Sequence, residues 1–90
     1  YENVPRMLKD GTHAVIRKDS YEVPAIFRML AKEGDIEEHM MYNTFNMGIG
    51  MVIAVEESDV EATLSAIEAA GDKACVIGNI EAGEKGVTLC

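Results

Sequence analysis

The chain has 90 residues, a formal net charge of −8, a sequence pI near 4.6 and 48% apolar residues. This length suits one small domain spanning residues 1–90, and the negative charge disfavours binding to nucleic acid or to an anionic membrane, because both need a basic surface. There is no signal peptide and no run of about 18 apolar residues, so the cytoplasm is the expected location.

Two elements are predicted before residue 35. His13–Arg17 has the composition of a short strand that follows a turn at Asp10-Gly11. A helix is predicted from Pro24, which suits a first helical turn, to Gly34, which suits a helix end. Three apolar residues with helical spacing support this helix: Ile26, Phe27 and Leu30.

A second short helix is predicted from Asp35 to about Tyr42, because Asp35 and Glu38 have the spacing of a capping box. The apolar run Met51–Val55 is predicted to be a strand.

Gly48 and Gly50 stand just before this apolar run and, on a strand, would point to the same face. Glycines there leave bare backbone, on which either a helix packs tightly or a ligand lies.

The second half predicts a helix from Ser58 to Gly71, with Ser58 and Glu61 as a capping box and Gly71 as the left-handed stop. Strands are predicted at Ala74–Ile80 and at Gly86–Cys90, the last pairing back as a hairpin. Strand, helix, strand and strand in this order predict an α+β fold, a mixed sheet with helices packed on it and a right-handed crossover.

The cysteines and histidines do not suggest a metal site. Cys75 is predicted to be a small buried residue, Cys90 is the last residue, and they form no Cys-x-x-Cys pair. His13 and His39 have no partner at metal-ligand spacing. The six methionines are predicted to fill core positions.

Two residues are candidates for ligand binding. The guanidinium of Arg6, just after Pro5, could hold a phosphate or carboxylate in a bidentate manner, or could simply pair with one of the sixteen acidic side chains. The amide of Asn46 could bind a formyl oxygen, an amidine or a ribose hydroxyl, or could satisfy the backbone of its own loop.

Three blocks of sequence resemble aminoimidazole ribonucleotide synthetases, also called phosphoribosylformylglycinamidine cyclo-ligases. Further similarity lies at Val76-Ile77-Gly78 and at Gly86-Val87-Thr88-Leu89, so that the resemblance is colinear over essentially the whole chain. The three blocks are Tyr1-Glu2-Asn3-Val4-Pro5-Arg6, Tyr21-Glu22-Val23-Pro24-Ala25-Ile26-Phe27 and Phe45-Asn46-Met47-Gly48-Ile49-Gly50-Met51.

The resemblance implies that residues 1–90 are part of the C-terminal domain, an α/β sandwich with partial likeness to a ferredoxin-like fold. It implies an enzyme that uses ATP and Mg²⁺ to close formylglycinamidine ribonucleotide into aminoimidazole ribonucleotide in purine biosynthesis. The N-terminal ATP-binding domain of that family is absent here, so the isolated chain is expected to bind no cofactor and to be inactive. The resemblance also implies a set of residues at the substrate cleft: Asn3, Arg6, Asn46, Gly48 and Gly50.

Two alternatives remain at this stage. The chain could come from a related ATP-dependent enzyme of the selenophosphate synthetase, thiamine monophosphate kinase or hydrogenase-maturation type, or it could be a binding module without chemistry. The complete enzyme is expected to be a homodimer. The isolated chain is expected to self-associate if part of its core face is exposed.

Overall fold

The computed structural model describes all 90 residues, and its mixture of helices and a mixed sheet confirms the predicted α+β class. The strands are β1 (Thr12–Ile16), β2 (Gly78–Ala82) and β3 (Gly86–Leu89). The helices are α1 (Ala25–Glu33), α2 (Glu38–Thr44) and α3 (Val60–Ala69). Short 3₁₀ turns lie at Val4–Met7, Lys18–Ser20 and Glu57–Asp59.

The sheet has the strand order β2-β1-β3, with β1 antiparallel to β2 and parallel to β3. The predicted hairpin between β2 and β3 is therefore wrong, because β1 lies between them. Their three-residue link crosses the end of β1, where the Gly83 N–H donates to the Gly11 carbonyl at 2.9 Å. In the register of β1, His13 lies opposite Glu81 on one side and Gly86 on the other.

The apolar run Met51–Val55 is not a strand, and the prediction for it is wrong. None of its backbone groups forms a backbone hydrogen bond. An extended segment becomes a strand only when a neighbouring strand supplies a ladder of hydrogen bonds. Gly48 and Gly50 therefore do not share a strand face, and the crossover from this segment through α3 does not form.

The strand predicted at Ala74–Ile80 begins only at Gly78. Before it, the Ile77 carbonyl accepts one hydrogen bond from the Arg17 N–H at 2.8 Å. Cys75 is exposed, contrary to its predicted burial, because it lies in the unpaired stretch before β2.

The helix α1 follows Pro24, as predicted, but its left-handed terminal residue is Asp35 rather than Gly34. Asp35 has φ 50°, and the Ile36 N–H donates back to the Ala31 carbonyl at 2.9 Å. This is the pattern of a Schellman motif. Because Asp35 ends α1, it does not cap α2, and the predicted capping box is wrong.

The helix α3 ends as predicted and begins differently. Gly71 has φ 93°, and the Asp72 N–H donates to the Ile67 carbonyl at 3.2 Å, which again forms a Schellman motif. Ser58 lies in the 3₁₀ turn before the helix, and no side chain caps α3. The capping box predicted for Ser58 and Glu61 is therefore wrong.

The core is small. Four residues are buried, and they come from four separate places in the chain: Leu8, Ala14, Met41 and Met47. The Cα radius of gyration is 14.2 Å, against about 12 Å for a compact domain of this length, and the molecule is only 18 Å thick. The prediction that the methionines fill the core holds for Met41 and Met47 and is wrong for the exposed ones: Met7, Met29, Met40 and Met51.

None of the helices has the length and apolar character that crossing a bilayer requires.

Candidate functional site

The segment Asn46–Ile49, which directly follows α2, forms a tight turn. The Ile49 N–H donates to the Asn46 carbonyl at 3.0 Å, and the Gly48 N–H donates to the Asn46 Oδ1 at 2.8 Å. Both central residues have positive φ, 55° at Met47 and 101° at Gly48, which corresponds to a type I′ turn. The Asn46 Oδ1 thus accepts a hydrogen bond from the backbone of the same turn, and the Asn46 Nδ2 forms no hydrogen bond.

Residues of the Tyr21–Phe27 block hold this turn from one side. The Tyr21 hydroxyl donates to the Met47 carbonyl at 3.1 Å. The side chain of Met47 is buried, with 7% exposure. Phe45, just before the turn, lies against Phe27 of α1 with ring centroids 6.0 Å apart. Two of the sequence blocks that carry the resemblance are therefore in direct contact.

Gly48 and Gly50 differ in their surroundings. A Cβ at Gly48 would lie 2.6 Å from the Cδ of Pro24, so only glycine fits without a shift of that ring or of the turn. A Cβ at Gly50 would meet nothing within 4 Å. Tight packing thus explains the glycine at 48, and open space surrounds the one at 50.

Asn3 and Arg6 share a second short element, the 3₁₀ turn Val4–Met7, in which the Arg6 N–H donates to the Asn3 carbonyl at 3.1 Å. This turn packs on β1 and β3. Both side chains are exposed, and the Asn3 side chain makes no capping hydrogen bond. Arg6 takes part in none of the ion pairs of the structure, which leaves its guanidinium available.

The structure does not join Asn3 and Arg6 to Asn46 by any hydrogen bond or ion pair. The link between the two regions is α2. At its first turn, the His39 ring stacks on Tyr1 with centroids 4.1 Å apart, and Glu38 binds the Lys18 Nζ at 2.7 Å. Asn46 follows the other end of α2.

Three side chains near α2 have shifted pKa values. The hydrogen bond that Lys18 donates to Glu38 raises the pKa of Lys18, and partial desolvation opposes this effect. Burial raises the pKa of Tyr21, and burial together with the negative charge of Glu38 raises the pKa of Tyr42. Both phenols therefore stay protonated at neutral pH, and the Tyr21 hydroxyl remains a hydrogen-bond donor to Met47.

A groove of about 530 Å³ runs between α1 and α2. It is lined mostly by apolar side chains, among them Phe27, Ile36 and Met41, and Glu22 and Arg28 also line it. Within this lining, Arg28 donates a hydrogen bond to the Val23 carbonyl at 3.0 Å.

Both ring nitrogens of His13 form hydrogen bonds that connect parts of the sheet. Its Nδ1 donates to the Glu84 carbonyl at 2.8 Å, so its Nε2 accepts from the Thr88 hydroxyl at 2.7 Å. The imidazole thus ties the link between β2 and β3 to β1. No three side chains of His, Cys, Asp or Glu lie close enough together to bind a metal ion.

The contact that sequence reasoning missed is the one between Tyr21 and Met47. The two residues belong to two different sequence blocks. The left-handed conformation of a methionine and the long-range hydrogen bond to its carbonyl carry no local sequence signal, because both depend on the packing of α1 against α2.

Comparison with known proteins agrees with the resemblance of these blocks. The chain is 71% identical over 90 residues to a phosphoribosylformylglycinamidine cyclo-ligase of Lachnospira eligens, of which it covers 26%. It is 56% identical over 90 residues to the protein of the same name from Lachnoclostridium phytofermentans and 58% identical over 89 residues to that from Agathobacter rectalis. These two matches include 100% and 99% of this chain, respectively, and 26% of each relative.

The chain thus spans about a quarter of the length of the curated relatives it matches. The family model described as "AIR synthase related protein, C-terminal domain" matches residues 1–90. The chain therefore belongs to the AIR synthase related C-terminal domain family.

Proposed function

We propose that this chain forms part of the substrate cleft of a ligase that cyclises formylglycinamidine ribonucleotide to aminoimidazole ribonucleotide in purine biosynthesis. The observation that carries the proposal is the 71% identity, over all 90 residues, to a protein named for this reaction. The same name recurs among the other relatives, which favours the cyclo-ligase over selenophosphate synthetase or thiamine monophosphate kinase.

ATP and Mg²⁺ are the proposed co-reactants of the complete ligase. In the proposed reaction, ATP would transfer a phosphoryl group to the formyl oxygen and leave as ADP, and the amidine nitrogen would close the ring as that oxygen departs as phosphate. The residues present here do not fit the metal, because no acidic cluster of the required kind forms. We therefore assign ATP and Mg²⁺ to the larger part of the ligase, which lies outside the 26% matched by this chain.

Within the chain, Arg6 is the proposed phosphate contact, because its guanidinium is exposed, unpaired and held on a short turn fixed by Pro5. Asn3 lies on the same turn and supports it through its carbonyl. Asn46 is the proposed contact to a polar group of the substrate, through the Nδ2 that its own turn does not use. Gly48 keeps that turn tight, and Gly50 leaves open backbone beside it.

A chimeric ligase tests this proposal. In it, residues 1–90 of this chain replace the matched 90 residues of the Lachnospira eligens protein. We expect ATP-dependent ring closure within about tenfold of the parent rate, because the exchanged segments are closely similar. A folded chimera without turnover would contradict the proposal.

Substitutions in the chimera separate the proposed contacts. Arg6→Ala is expected to raise the KM for the ribonucleotide substrate more than Arg28→Ala, because Arg28 is held by Val23 and Glu22. Equal effects of the two substitutions would remove Arg6 from the proposed site.

The isolated chain is proposed to be inactive, and the ligase is proposed to act in the cytoplasm. The first point is checked by incubating purified residues 1–90 with ATP, Mg²⁺ and the ribonucleotide substrate. Ring closure by this chain alone would show that the ATP site is not confined to the rest of the ligase.

We also propose that the isolated chain self-associates through the exposed run Met51–Val55. Ile53, in this run, and Met29, on α1, are about equally exposed, at 53% and 55%. Sedimentation at high micromolar concentration should show association that increases with salt, because each copy carries a charge of −8. Ile53→Lys should abolish it and Met29→Lys should not, and a monomer under all conditions would contradict the proposal.

A further inference from the structure

We infer that Tyr21 is a positioning residue for the candidate substrate contact: its hydroxyl fixes the turn Asn46–Ile49 and thereby the direction of the Asn46 amide. This inference rests on the proposed function, because it assigns Asn46 to the substrate. It adds a residue from a different sequence block, one for which the chemistry of the side chain alone suggests no role.

The backbone of the turn depends on support from its surroundings. Met47 has φ 55°, a conformation that costs a non-glycine residue free energy unless its surroundings hold it. Two features of the structure hold it: the Tyr21 hydroxyl donates to the Met47 carbonyl at 3.1 Å, and the Met47 side chain is buried. The hydroxyl therefore selects one orientation of the peptide between Met47 and Gly48.

The same peptide carries the Gly48 N–H, which donates to the Asn46 Oδ1 at 2.8 Å. If the peptide rotates, that hydrogen bond is lost and the Asn46 amide is free to turn. The Tyr21 hydroxyl and the Asn46 amide are thus coupled through one peptide plane. The ring of Pro24, three residues after Tyr21, limits rotation further because it packs on Gly48.

The Tyr21 hydroxyl can act as a donor at neutral pH, because burial raises the pKa of Tyr21. The side chain is half-buried, and the long-range contact joins the segment before α1 to the segment after α2. Tyr42 offers a matched control. It is also half-buried and lies on α2, but its hydroxyl forms no hydrogen bond in the structure.

The experiment uses the chimeric ligase with Tyr21→Phe and, as control, Tyr42→Phe. Loss of one hydrogen bond that orients a substrate contact should raise the KM for formylglycinamidine ribonucleotide about two- to tenfold. The KM for ATP should stay unchanged, because the inferred role concerns only the turn. Tyr42→Phe should change neither constant by more than about twofold.

A double-mutant cycle distinguishes positioning from a general contribution to stability. Asn46→Ala removes the group that Tyr21 positions, so adding Tyr21→Phe should then raise the KM no further. Additive effects, an equal rise in the KM for ATP, or no effect of Tyr21→Phe would each overturn the inference.

A readout independent of turnover keeps the two proposals separate. Hydrogen exchange at the Gly48 amide should become faster in Tyr21→Phe and stay unchanged in Tyr42→Phe. An inactive chimera with this exchange pattern would refute the proposed function and leave the positioning of the turn supported. An active chimera without the pattern would refute the inference alone.

Discussion

Two regions of this molecule are both rich in apolar residues, yet they are packed very differently. Residues 1–49 and 78–90 contain the sheet, α1, α2 and all four buried residues. Residues 50–77 contain α3 and the run Met51–Val55, and none of them is buried. An apolar composition therefore favours burial of a segment, but the segment is buried only where a neighbouring element presents a complementary face.

The second region shows this requirement in α3. The helix is apolar on most of its faces, a pattern typical of helices covered on more than one side. Its main contacts with another element are the few that it makes with the 3₁₀ turn Glu57–Asp59 directly before it. Beside it, Val55 and two alanines of the helix, Ala62 and Ala66, line an open groove of about 580 Å³.

The largest predicted effect on stability comes from comparing one methionine from each region. Met41 is 2% exposed and Met51 is 79% exposed. In the 90-residue chain, Met41→Ala should lower the free energy of unfolding by about 2–4 kcal/mol, because it leaves a cavity. Met51→Ala should change it by less than about 0.5 kcal/mol. Urea unfolding followed by circular dichroism measures both, and equal costs would erase the distinction between the regions.

The second prediction contrasts the two glycines at the border of the regions. Gly48→Ala should cost about 2 kcal/mol, because the new Cβ meets the Pro24 ring and the residue has φ 101°. Gly50→Ala should be neutral or slightly stabilising, because its surroundings are open. Thermal unfolding of both variants checks this, and a costly Gly50→Ala would place a packed neighbour beside Gly50.

The third prediction concerns the link that closes the packed region. Thr88→Val removes the hydroxyl that binds the His13 Nε2 and should cost about 1 kcal/mol. Thr63→Val is the control in the open region, where the hydroxyl binds only the Asp59 carbonyl of its own helix start. We expect the smaller loss of stability from Thr63→Val, and the reverse order would show that α3 is the more tightly held element.

The smallest predicted effect on stability comes from the ion pair between Lys18 and Glu38. The pKa of Lys18 is raised in the folded chain, so its stabilising contribution is complete below the pKa of an unfolded lysine, about 10.4. That contribution is lost as the pH rises through the higher pKa of the folded state. The difference in Tm between the unchanged chain and Glu38→Gln should therefore be constant from about pH 7 to pH 9 and shrink above about pH 10.5. A difference that grows with pH would assign the effect to another group.

Parts of both regions could be predicted from local sequence. Pro24 began α1 and Gly71 ended α3 because their backbone preferences act wherever they stand in the chain. The blocks around Arg6 and Asn46 were identified by their residues alone. The helix caps were predicted less well. An aspartate such as Asp35 can either cap the start of a helix or adopt the left-handed conformation at a helix end, and only the path of the chain after α1 selects between the two.

By itself, the sequence determined the α+β class, the position of α1 and α3, the acidic surface and the family. Tertiary structure alone decided that β1 is the central strand, that Met51–Val55 pairs with nothing and that Tyr21 holds the carbonyl of Met47. The physical reason is the range of the interactions. Backbone preferences and periodicity act within a few residues, whereas a strand ladder or a contact across 26 residues exists only when the rest of the chain supplies the partner.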